Sequence, residues 1–183
     1  LGVFAGPFPL DAVETVAAGI SGGDVVDDLA VLVDSSLVRQ EERGDRDVYT
    51  MLAAVREFAR DQLAARGDAA ELRDRHADWL LALAARAERP LEGPAQREWI
   101  ALLAEIADDL RAAERHLLDE RRWVEAALLA WRLYVYWWVG GHLGEVRGWM
   151  TELLAAGDPL DDGTRAIGLY FSRAIAFWQD PDE

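Results

Sequence analysis

The sequence predicts a mainly α-helical protein: an incomplete winged-helix unit with a small β-hairpin, followed by antiparallel helical pairs of a tetratricopeptide-like α-solenoid. Three observations carry this. Residues 1–67 mix short helical patterns with two β-branched stretches around a polar turn, whereas from Asp68 onward only helical periodicity remains. The later loops are short, which makes successive helices antiparallel neighbours. Trp123–Val139 followed by Leu143–Ala156 has the size of a helical repeat of about 34 residues.

Taken in order, Leu10–Ala18 is a short helix entered through Pro7 and Pro9 and ended near Gly19. A second helix starts at the N-cap Asp24 and turns Val26, Leu29, Leu32 and Val33 inward. Leu37–Arg39 and Val48–Met51 read as strands joined by the polar stretch Gln40–Asp47. A third helix carries Val55, Phe58, Ala59, Leu63 and Arg66 at helical spacing, up to Gly67. Helix, helix, hairpin, helix is the outline of a winged helix, so residues 1–67 form one expected domain and 68–183 the other. In the second domain Leu72, His76, Trp79, Leu80 and Leu83 make one stripe, ending before Pro90. Trp99 to Leu117 holds the period through another helix, and Trp123–Val139 is apolar nearly all round. Leu143–Leu154 and Asp162–Trp178 complete the series. The chain opens inside an apparent element and without Met, so it reads as a piece of a longer protein, with the repeat array truncated at its C-terminus.

Composition excludes several chemistries. Without Cys there are no disulfides, thiolate nucleophiles or Cys-based zinc sites. Without Lys (all 19 basic residues are Arg) the chain has neither a P-loop lysine nor a Schiff-base lysine. A net charge of −15 argues against direct binding of nucleic acid. The second helix sharpens that point: Asp24, Asp27, Asp28 and Asp34 accompany it, with no base from Ile20 to Leu37. No apolar run is long enough to cross a membrane.

Catalytic constellations are also missing. His76, His116 and His142 lack the i, i+4 spacing of a helical zinc site, and His76 on its apolar stripe reads as a core histidine. Asp27-Asp28, Asp108-Asp109 and Asp161-Asp162 are sequence neighbours, which point to different sides of a helix and read as solvated surface or caps. No metal, no cofactor and no catalytic residue is therefore expected. The feature that invites a binding role is aromatic. Trp131, Tyr134, Tyr136, Trp137 and Trp138 crowd one helix beside Arg132 and His142. Helical spacing assigns Trp131, Tyr134 and Trp138 to the core, which leaves Tyr136 and Trp137 on other faces as anchors for a partner or ligand. Tyr170, Phe171, Phe177 and Trp178 would close the array, and an uncovered apolar end there predicts homodimerisation.

Five stretches match a known pattern in order. They are Leu1-Gly2-Val3-Phe4-Ala5-Gly6-Pro7-Phe8, Leu32-Val33-Asp34-Ser35-Ser36-Leu37-Val38, Leu52 to Ala59, Arg75-His76-Ala77-Asp78-Trp79, and Asp109-Leu110-Arg111-Ala112-Ala113. Together they resemble the region downstream of the nucleotide-binding core in bacterial STAND-type signalling ATPases, the AfsR-like and LuxR-associated regulators. The resemblance implies a cytoplasmic regulatory segment whose winged helix works with the ATPase module of the parent chain and whose repeats receive an inducer or protein partner. It also implies that the first winged-helix helix lies upstream of Leu1. Related switches carry Met-His-Asp at a strand end, where the His contacts ADP. Here those positions are Met51, Leu52 and Ala53, and neither Leu52 nor Ala53 has a side chain that can bond a phosphate. Two further departures are the absence of a Lys before Ser36 and of an Asn before Leu110. The alternative reading is a helical scaffold with no ATPase in its parent.

Overall fold

The computed structural model describes residues 1–19, 24–43 and 46–174. It is mainly helical, with one small antiparallel sheet among the described residues, as the sequence predicts. Two compact units emerge: Leu1–Trp79 with Ala104–Ala112, and Leu80–Leu103 with the described residues from Ala113 onward.

The first unit begins with β1 (Phe8–Pro9), α1 (Leu10–Ala17) and α2 (Val25–Asp34), then β2 (Val38–Arg43), β3 (Arg46–Met51) and α3 (Ala53–Ala64). Asp24 caps α2 as expected, its carboxylate accepting from the Val26 N–H at 2.8 Å. The sheet has the order β1-β3-β2. Strand β1 was not expected, because two residues carry no alternation pattern; it pairs Phe8 with Tyr49 and Pro9 with Val48. The hairpin is also longer than predicted. Its ladder runs from Val38↔Met51 to Arg43↔Arg46, through Gln40, Glu41 and Glu42, which lie exposed. Polar residues can form such a strand because backbone pairing, not burial, holds a wing. Glu105 adds anchorage, with Arg43 Nη1 at 3.8 Å and Arg46 Nη2 at 4.0 Å.

The unit's core gathers around Phe4 and Phe8, stacked with centroids 4.6 Å apart, together with Val13, Val16, Val38 and Val48. One close approach fixes the N-terminal segment. A Cβ on Gly2 would lie 2.3 Å from the Ala59 carbonyl oxygen of α3, inside any van der Waals contact.

The remaining helices are α4 (Ala69–Leu91), α5 (Gln96–Glu105), α6 (Ala107–Asp119), α7 (Trp123–Arg132), α8 (Tyr134–Val139), α9 (Leu143–Ala155) and α10 (Asp162–Leu169), followed by a π-helical turn at Tyr170–Ala174. Helix α4 runs one residue past Pro90, whose missing N–H is tolerable in a last turn. Three predicted long helices are broken. The one containing Trp99 to Leu117 splits at Ile106, and Trp123–Val139 splits at Leu133, where φ is −99° and ψ 15°. The last gives way to the π turn after Leu169. Helix α9 packs against α7, α8 and α10 in the second unit. A surface fork joins α6 to α9, Arg115 donating to the two Glu152 oxygens at 2.8 and 2.6 Å. Trp123 Nε1 donates to Asp158 at 2.9 Å, and Asp161 caps α10 through the Thr164 N–H at 3.0 Å.

One buried group is out of keeping with this core. Glu114 on α6 is fully buried and neither carboxyl oxygen has a hydrogen-bond partner. Desolvation holds its carboxyl well above the ordinary glutamate range, with Arg115 opposing weakly. The folded chain therefore keeps a proton that the unfolded chain releases, so this group lowers stability as pH rises above the ordinary value of 4.5.

Two outcomes follow from these contacts. Gly2→Ala is expected to cost about 1–3 kcal/mol in denaturant titration, since backbone must move to admit the methyl group. Glu114→Leu should raise stability at neutral pH by about 1–3 kcal/mol, and its advantage over the wild type should shrink as pH is lowered through the carboxylate range. Equal pH profiles for the two proteins would contradict the buried-acid assignment.

Candidate functional site

Three places in the described residues qualify for a role. The first is the β3–α3 junction. Met51 ends the strand and is buried, Leu52 is the N-cap of α3 and exposed, and Ala53 opens the helix. The junction thus has the strand-to-helix setting that the resemblance implies. Its side chains are apolar, and no side-chain cap closes the helix. What polar chemistry exists comes from Arg56, whose Nη2 donates to the Met51 carbonyl at 3.3 Å.

The second is a buried polar knot in the first unit. Asp109 sits near the start of α6 and is almost fully buried. Its Oδ1 accepts from the Ala5 N–H at 2.8 Å and lies 2.9 Å from His76 Nε2, while Oδ2 accepts from the Gly6 N–H at 2.9 Å. His76 lies on α4, buried, with its ring edge-on to Phe4 at 5.3 Å. The expectation of a core histidine holds. The expectation that Asp109 is a solvated or capping acid does not. Its neighbour Asp108 is exposed, and the helix rotation that separates them drives Asp109 inward. The partner of His76 lies 33 residues away in sequence, beyond any local motif. Nothing in the knot is a nucleophile, and no group of residues that could hold a metal occurs among the described residues.

The third is aromatic and belongs to the second unit. Here the predicted faces are exchanged. Tyr136 and Trp137 are 2% and 0% exposed, so they are core, whereas Trp131 and Trp138 are 42% and 60% exposed. Helical phase carries through the break at Leu133: Ala126, Ala130, Leu133 and Trp137 form one buried stripe, and Trp131, Tyr134 and Trp138 share the opposite face as their spacing predicts, but that face is the outer one. Trp137 packs edge-on against Trp149 at 5.6 Å, and His142 joins the same inner group, 6.1 Å from Tyr136 and 3.3 Å from Glu145. Arg132 is half-buried and donates to the Leu81 carbonyl at 3.5 Å. The outer group is Trp131, Tyr134, Trp138 and Tyr170, laid over the buried Phe171. Trp131 meets Tyr170 edge-on at 5.4 Å and stacks with Tyr134 at 6.2 Å. The Tyr134 and Tyr170 hydroxyls are hydrogen-bonded at 3.3 Å, and this bond with burial pushes the Tyr134 phenol up to about 12. Of the expected self-associating residues, Tyr170 is part of this surface and Phe171 lies beneath it; Phe177 and Trp178 lie outside the described residues.

Comparison with known proteins fits the first unit's architecture. Residues 1–64 match the model of a winged helix-turn-helix domain family. The chain is 36% identical over 156 residues to proteins provisionally named HTH-type transcriptional regulators, one from Mycobacterium bovis and others from Mycobacterium tuberculosis strains CDC 1551 and H37Rv. The match takes in 84% of this chain and 18% of each relative, so the chain spans less than a fifth of their length. No solved structure matches the chain significantly. No helix among the described residues is long and apolar enough to cross a membrane.

Asp109→Ala is expected to cost about 3–5 kcal/mol, since it leaves two buried N–H groups and an imidazole without their acceptor. Asp109→Asn should lose less, because the amide keeps one acceptor oxygen. Denaturant midpoints for the pair, read beside an exposed control such as Asp108→Ala, check the order.

Proposed function

We propose that the chain is a non-catalytic regulatory segment of an HTH-type transcriptional regulator, cytoplasmic, in which the winged helix couples to an ATPase module of the parent chain and the second unit receives an inducer or protein partner. The observation that carries this reading is the outer aromatic surface of Trp131, Tyr134, Trp138 and Tyr170. A cluster of large aromatics left partly in water is the kind of surface that anchors a partner. The charge of α2 supports a coupling role for the winged helix over a DNA-reading one. Asp27, Asp28 and Asp34 are all exposed and the helix has no base, so a phosphate backbone would be repelled where a reading helix needs attraction. The similarity to transcriptional regulators and the winged-helix match are consistent with the proposed setting. In this reading the β3–α3 junction transmits nucleotide state by its backbone or by contacts of the whole unit, since Leu52 and Ala53 offer a phosphate no side-chain donor.

The test is made in the full-length regulator. Trp131→Ser with Trp138→Ser should leave the melting temperature within about 2 °C, as expected for surface changes, and leave ATP turnover intact, while the inducing stimulus no longer changes reporter transcription. Retained induction would overturn the aromatic surface as the receiving site. A parent sequence without a Walker A motif would instead select the helical-scaffold alternative.

A further inference from the structure

We draw no further inference here: the strongest candidate, the exposed apolar stripe of Val124, Trp131, Trp138 and Val139 along α7 and α8, belongs to the aromatic surface already proposed as the receiving site, and nothing in the structure shows what covers it.

Discussion

The carboxylate of Asp109 is the contact on which the first unit turns. A buried charge is tolerable only when its oxygens are saturated by donors. Asp109 meets that demand with two consecutive backbone N–H groups and an imidazole, drawn from the N-terminal segment and from α4. The geometry leaves little slack, since a Cβ on Gly6 would stand 3.0 Å from Oδ2. Once Ala5 and Gly6 are held, Phe4 and Phe8 on either side of them are delivered to the core, and Phe8 begins the strand that pairs with β3. Strand order, aromatic stacking and the position of α4 in this unit thus share one polar origin. A hydrophobic core alone would leave the seven residues before β1 without regular structure to place them.

What the sequence reveals and conceals follows from the range of each interaction. Capping by Asp24 and the helical stripes of α4 and α9 involve residues a few positions apart and were legible, whereas Asp161, read as surface or cap, proves to be a cap. The hairpin was legible in its apolar ends but not in its polar length. The Asp109 knot was not legible, because its partners are 33 and more than 100 residues distant and its neighbour Asp108 behaves as an ordinary surface acid. Two of the departures noted by resemblance now differ in standing. Asp109, where an Asn would be usual, acquires a definite role, while the missing Lys before Ser36 still has no structural explanation. The aromatic faces were misread for a different reason. Periodicity groups residues onto faces, here correctly, but in a segment apolar nearly all round it does not say which face turns inward.

The functional reading depends on a separation of labour between the two units. The winged-helix unit is strongly acidic, with no basic reading helix. The second unit carries the exposed aromatics and a fork of surface ion pairs around Arg115. No group of residues that could hold a metal occurs among the described residues, and both units present apolar surface in water. Such a division suits the proposed role, in which the chain receives and passes on contacts.

The exchange of aromatic faces has a practical consequence in optical terms. Trp137 is enclosed by protein, whereas Trp138, its immediate neighbour in sequence, stands mostly in water. The two indoles therefore emit at different wavelengths and meet dissolved quenchers at different rates. Loss of the interior changes one, and arrival of a partner on the surface changes the other. Among the eight tryptophans of the chain, these two neighbours set a reporter of the interior beside a reporter of the surface.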